Sequence, residues 1–327
     1  MIKAGLQIPN FTYAGVPDVE LFDKVADLAT TAEASGFDTV LVMDHFYQLP
    51  GLGTPDDPMF EAYTLLAALA ARTERVQLGT LVTGVTYRNP AILAKIVTTL
   101  DVISKGRAFL GIGAAWFDVE HRALGVDFPK VPERFDRLEE ALQICRAMFR
   151  GERPTIEGRY YQVRDATNIP APIRPGGPPI MIGGQGEKRT MPLMARYADA
   201  ANLIADFTAM PAKLESLAAA CAAEDRDPAT LSTSPLVFLF AGDTAEEAED
   251  KVAAFTGAQG LDWRAADEAT KALVGGRFVI GDRDSATAQF KALVDMGFDG
   301  FTVNLPADGA DTAAVERAGS ILADAMA

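Results

Sequence analysis

The chain has 327 residues, 49% of them apolar, and a net charge of −15. This supplies a sizeable core, while the charge excludes nucleic acid and anionic membrane surfaces as natural partners, because like charges repel. The two cysteines, Cys145 and Cys221, fall in Ala- and Leu-rich helical patterns and read as buried thiols, no apolar run approaches the ~20 residues that cross a bilayer, and the opening MIKAGLQIPNF lacks a leader pattern, so the expected location is the cytoplasm.

Ile2–Gln7 reads as a first strand, and Val19–Ala34 follows with Leu21, Phe22, Val25, Leu28 and Ala29 at helical spacing. Gly36 ends that helix, and Thr39–Met43 is a second, buried strand. Phe60–Arg72 reads as a helix, Val76–Val82 as a third strand, and Pro90–Ser104 as a helix with proline in its first turn. Ala108–Gly113 is a fourth strand and Pro132–Phe149 a long amphipathic helix. Arg153–Val163 alternates around Glu157-Gly158 and reads as a hairpin, inserted at about 153–165. Pro170–Pro179 is an extended connector. Ile180–Ile182, Ala200–Ile204 and Leu236–Phe240 are strands, separated by a helix with Pro192 in its first turn and by a helix over Met210–Asp225. Thr244–Phe255 is a helix. Residues 256–277 carry no clear pattern and read either as a mobile lid or as a disordered insert. Ser285–Met296 is a helix, Gly300–Asn304 the last strand, and Ala313–Met326 the last helix.

Strand and helix alternate without a linker, which favours a single α/β domain over 1–327: a (β/α)8 TIM barrel with short insertions at its C-terminal face. The other reading is a doubly wound sheet. That fold expects a glycine fingerprint in its first βα turn, and Gln7–Asn10 has none.

A barrel places its chemistry where the strands end. That rule selects Asn10, Asp44-His45-Phe46, Leu81-Val82-Thr83, Gly113-Ala114-Ala115-Trp116 and Asn304. Both histidines of the chain fall on this face, His121 standing next to Glu120 just past Trp116. A histidine placed like His45 handles a proton near neutral pH, or else only hydrogen-bonds the rim. Trp116 is either core or a pocket wall. In IGGQGEKR at Ile182–Arg189, a strand gives way to a helix. Gly183, Gly184, Gly186, Glu187 and Lys188 there form a backbone cradle for phosphate, or a tight turn that needs glycine. Two histidines far apart in sequence cannot make a usual zinc site, and no Gly-x-Ser-x-Gly elbow supports a serine hydrolase.

Several runs together resemble the bacterial luciferase-like superfamily of barrel oxidoreductases, within its branch dependent on the deazaflavin coenzyme F420. They are Asp44-His45-Phe46, LGTLVTGVTYRNP at Leu78–Pro90, GIGAAWFDVEHRALGVDFP at Gly111–Pro129, the EGRYY hairpin, PPIMIGGQGEKRTMPLMARYADAAN at Pro178–Asn202, and FVIGDRD before the last helices. The resemblance implies that the ring lies in the barrel mouth against a bulge after strand three, where Leu81–Val82 is expected as a non-proline cis peptide. It places phosphate at Gly183, Gly184 and Gly186, His45 beside the ring, and Gly113, Ala114 and Ala115 along it, with Asp44, Thr83, Glu187 and Lys188 also in the cofactor site. The implied reaction is hydride transfer between F420 and a small organic substrate, with His45, Glu120 and His121 as candidates for proton handling. Asn10, Phe46 and Trp116 are the candidate substrate pocket. Trp116, Phe46, Tyr47 and Phe117 suggest an apolar or aromatic molecule. Two alternatives stand beside this: a monooxygenase using reduced FMN and oxygen, and a flavin-binding barrel without turnover. The chain departs from the sugar-phosphate dehydrogenases of the family, which carry a glutamate near Trp116 and a tryptophan where this chain reads Tyr47-Gln48-Leu49; this puts a sugar-phosphate substrate in doubt. The resemblance also suggests a homodimer.

Overall fold

The computed structural model describes residues 2–327. The first half runs β1 (Ala4–Ile8), α1 (Leu21–Ala34), β2 (Thr39–Val42), α2 (Ala62–Ala70), β3 (Gln77–Thr80), β4 (Thr83–Gly84), α3 (Pro90–Ile103), β5 (Leu110–Gly113), α4 (Asp118–Leu124) and α5 (Val131–Phe149). A short hairpin, β6 (Ile156–Glu157) and β7 (Gln162–Val163), precedes β8 (Ile180–Gly183), α6 (Thr190–Tyr197), β9 (Ala200–Leu203) and α7 (Met210–Ala223). The chain ends with β10 (Ser232–Ala241), α8 (Ala245–Gly257), α9 (Glu268–Gly275), β11 (Phe278–Gly281), α10 (Arg283–Asp295), β12 (Phe301–Asn304) and α11 (Thr312–Met326).

The ladders of the main sheet are parallel, in the order β3-β2-β1-β12-β10-β9-β8-β5-β4. The sheet closes on itself. Leu78 of β3 takes the N–H of Phe109 and gives its own N–H to Arg107, bridging to the start of β5. Ten strands share this sheet; counting β3 and β4 as one stave and setting β11 outside the ring leaves the eight staves of a TIM barrel. Closure removes the doubly wound reading, which needs an open sheet.

The structure departs from the sequence expectations at two places and adds a strand they did not include. The third strand is not continuous to Val82: it breaks after Thr80, and the Leu81–Val82 peptide between it and β4 is cis. Residues 278–281 form a strand, β11, which pairs only with the far half of β10. The segment of residues 257–276 is folded rather than a disordered insert. Trp263 within it is buried, donates its indole N–H to Glu249 at 2.8 Å, and packs on Phe278.

Short, fully buried strands such as Thr39–Val42 arise because each has helices on one side and the barrel interior on the other. The floor of that interior is plugged by Phe109, Leu41, Met181 and Ile2. Phe109 can lie across the axis because Gly79 is opposite: a Cβ there would meet the ring at 2.6 Å. The plug leaves open space only toward the C-terminal ends of the strands. Among the described residues, no helix is long and apolar enough to cross a membrane.

Candidate active site

A cavity of about 620 Å³ opens at that end, within the range of small-molecule sites. Its deeper wall includes Gln7, Leu81, Val82, Ile204, Leu236 and Asn304, and its mouth includes Leu49, Leu52, Trp116, Gln259 and Val274. Most of these side chains are apolar. Leu81 and Val82, joined by the cis peptide, both face it. Gly113, Gly183 and Gly184 line the wall beside Val82. A Cβ on Gly183 would meet Val82 Cγ1 at 2.8 Å, and one on Gly113 would meet Val82 Cγ2 at 3.0 Å, so these glycines let the Val82 side chain pack directly on the backbone of β5 and β8. Ala115 adopts φ 60°, a left-handed conformation uncommon for a residue with a Cβ. That turn ends the β5 stave and carries the chain to Trp116, which stays 63% exposed at the rim.

His45 and Asp44 leave the end of β2 into the cavity wall. Asp44 is buried and held bidentately by Arg88, at 2.7 and 3.0 Å, and Arg88 also reaches Glu61 at 2.6 Å. Burial pushes the Asp44 carboxyl up, and the guanidinium pulls it back. Burial alone would lower Arg88, but the Asp44 and Glu61 carboxylates raise it further from neutrality.

His45 gives its Nδ1 side to Glu120 Oε1 at 2.7 Å. Glu120 is buried in α4 and gathers three more donors. The Tyr87 hydroxyl shares Oε1, while the N–H groups of Phe46 (2.7 Å) and Tyr47 (3.3 Å) reach Oε2. Burial by itself raises a carboxyl, but the hydrogen bonds from His45 and Tyr87 outweigh it and hold Glu120 below its ordinary value. Tyr87 also lines the cavity; burial and the neighbouring carboxylate raise its pKa.

Other candidates lie elsewhere. His121 does not line the cavity. Its Nδ1 bonds the Phe117 carbonyl at 2.7 Å, its Nε2 bonds the Thr86 hydroxyl at 2.6 Å, and its ring stacks on Tyr87 at 4.5 Å. Burial lowers its pKa, which favours the neutral ring. Phe46 turns its ring edge-to-face onto Tyr87 because its backbone is pinned to Glu120, and the Asn10 carbonyl accepts the Tyr13 hydroxyl; neither lines the cavity. Of the predicted substrate pocket, only Trp116 does. The glycine cradle is narrower than the sequence suggests. Gly183, Gly184 and Thr190 face the cavity, whereas Gly186, Glu187 and Lys188 are exposed beyond it. Glu187 there pairs with Lys213 at 2.7 Å, and the Gly184 N–H is taken by the Asn202 carbonyl at 3.0 Å.

The sequence reading overlooked Tyr87, Arg88, Gln7 and Arg277. Arg277 lines the mouth, rests over the Phe238 ring at 5.0 Å and forms no ion pair among the described residues. Burial lowers its pKa, opposed by Asp206.

A barrel whose strand ends bring a histidine–carboxylate pair to one largely apolar cavity has the form of an enzyme scaffold with a small-molecule site. Residues 5–300 match the family of luciferase-like monooxygenases, and the chain belongs to that family. The F420-dependent glucose-6-phosphate dehydrogenase of Intrasporangium calvum is 33% identical over 317 residues, covering 87% of this chain and 89% of the other. The enzyme of the same name from Kineococcus radiotolerans is 41% identical over 164 residues, 50% of this chain; the chain matches only 48% of that relative's length. The monooxygenase RslO1 of Streptomyces bottropensis has the same fold, with a TM-score of 0.81 at 20% identity over 100% of both chains.

Proposed function

We propose that this protein is an oxidoreductase that passes a hydride between deazaflavin coenzyme F420 and a small organic substrate with a largely apolar body. The observation that carries the reading is the His45–Glu120 pair at an apolar cavity lined by Leu81, Val82, Gly113 and Gly183. The full-length similarity to an F420-dependent dehydrogenase supports the choice of cofactor. The residues present fit the group: Leu81, Val82, Gly113, Gly183 and Gly184 line a largely apolar cavity of about 620 Å³, in which the three glycines present no side chain to a planar ring.

Leu81, Val82 and Gly113–Ala115 would hold the ring, Gly183, Gly184 and Thr190 its side chain, and Arg277 an anionic group. When bound, F420 supplies a ring carbon that accepts or donates hydride. The protein's task is to orient, to exclude water and to move one proton. Apolar walls at Ile204, Leu236 and Phe238 keep water from the substrate. His45 moves the proton, and Trp116 forms one wall of the substrate pocket.

Fluorescence titration with F420, and separately with FMN, tests the proposal. Binding of F420 with no oxygen consumption on reduction is the expected result. Preference for FMN with oxygen uptake would replace the reading by a monooxygenase, and binding of neither would remove it.

Trp116→Ala should raise the substrate KM several-fold and shift the unfolding midpoint by no more than about 2 °C, since a side chain this exposed contributes little packing. A fall in kcat at unchanged KM would remove Trp116 from the substrate pocket.

The segment of residues 257–276, whose Gln259 and Val274 reach the mouth, serves as the lid. Limited proteolysis there should slow when F420 is added; cleavage at the same rate speaks against a lid. The protein pairs with a second copy, a reading supported by the apolar groove along α2 and α3 beside exposed Ile92 and Ile103, and sedimentation tests it.

A further inference from the structure

The surroundings of Glu120 settle more than the presence of a carboxylate near a histidine. Two of its four partners are backbone N–H groups, which only donate, and both come from the residues directly after His45. Its Oε1 takes the imidazole and the Tyr87 hydroxyl. Among the described residues, His45 is the one basic side chain paired with it. The hydrogen bonds hold its proton affinity down, so it is ionised, and an ionised carboxylate only accepts. The hydrogen of the neutral imidazole therefore lies on Nδ1. Nε2 is left with its lone pair, on a residue that lines the cavity. The rest of the wall holds this arrangement in place. The Trp116 and Phe117 rings pack edge-on against the imidazole at 6.0 and 5.8 Å, and Tyr87 is backed by the stacked ring of His121.

We propose that Glu120 is the positioning residue for His45: through two hydrogen-bonded oxygens it fixes both the loop that bears the imidazole and the tautomer that leaves Nε2 free to take a proton in the cavity. The use of that proton in turnover rests on the oxidoreductase reading above; the tautomer does not. A glutamine at this position cannot satisfy all four donors. If its carbonyl keeps the Phe46 and Tyr47 N–H groups, its NH₂ meets Nδ1 and drives the hydrogen to Nε2.

The chain has only two histidines, so imidazole ¹⁵N spectra are simple to assign, with His45→Asn removing one set of signals. The expected wild-type spectrum has His45 as the Nδ1–H tautomer. Glu120→Gln should convert most of it to Nε2–H, and Glu120→Asp should retain part of the native tautomer. His121, held by Phe117 and Thr86, acts as the internal control. Wild-type His45 with hydrogen on Nε2 overturns the proposal without any substitution, as does an unchanged tautomer in a folded Glu120→Gln. F420 affinity, measured by fluorescence, should change less than threefold in Glu120→Gln, while kcat falls at least tenfold with KM nearly constant. A changed tautomer with full turnover would keep Glu120 as the positioning residue and overturn proton transfer by His45.

Discussion

Replacing His45 by alanine is expected to lower turnover by about 10²–10⁴-fold, the usual contribution of a positioned general acid–base group. F420 affinity should move by less than threefold, because the wall proposed to receive the ring is backbone and aliphatic: Leu81, Val82, Gly113 and Gly183. The assay follows F420 absorbance with a panel of hydroxylated substrates, glucose 6-phosphate and secondary alcohols among them. Alanine also leaves Glu120 without its imidazole partner, so part of the loss could come from a displaced loop. His45→Asn separates the two effects. Its side-chain amide can still donate to Glu120 but cannot take up a proton at neutral pH. If both variants lose turnover alike and both bind F420, the proton role stands. An asparagine variant with near wild-type kcat would show that His45 only braces the wall.

The barrel was legible because its strands announce themselves. TVLVM at Thr39–Met43 follows a helix stop at Gly36, and its register against β1 and β3 matches that reading. β11 was not legible. FVIG is four residues long, its only ladder is with the far half of β10, and no alternation marks a strand outside the ring. The rule that chemistry lies at strand ends located His45 and Trp116 at the cavity, but it specifies an end of the barrel and not the direction of a side chain. Phe46 follows His45 directly and yet turns away, because its N–H is held by Glu120. Glu120 and His121 are adjacent in sequence but about 100° apart around α4. One reaches His45 and the other Thr86. Pairings such as Asn304 with Gln7, 297 residues apart, follow from barrel closure and leave no local trace in the sequence. The glycine run carried a real signal, but glycine serves both a cradle and a turn. Here Gly183 and Gly184 face the cavity while Gly186 does not.

Arg88→Leu should be the most destabilising single change near the site, by about 3–5 kcal/mol at pH 8, because it strands a buried carboxylate whose bidentate partner is gone. Asp44 is 2% exposed and has no other basic partner among its hydrogen bonds. Leucine also gives up the guanidinium's contact with the Tyr63 ring, so the pH dependence and the double variant below isolate the electrostatic part of the loss. The pH dependence carries a definite sign. Burial already pushes the Asp44 carboxyl upward, and without the guanidinium nothing comparable opposes it. The folded variant then holds a proton on Asp44 at pH values where the unfolded chain has released it. A group whose folded pKa is raised stabilises the fold below that pKa and loses the contribution as pH rises. The deficit relative to wild type should therefore shrink as pH is lowered from 8 toward 5. Asp44→Asn combined with Arg88→Leu should recover much of the stability at pH 8. Urea unfolding of the three proteins at both pH values measures this. A deficit that is constant with pH, or a double variant no better than Arg88→Leu, would mean that Arg88 stabilises the mouth through packing on Tyr63 and its bond to Glu61 rather than by compensating Asp44.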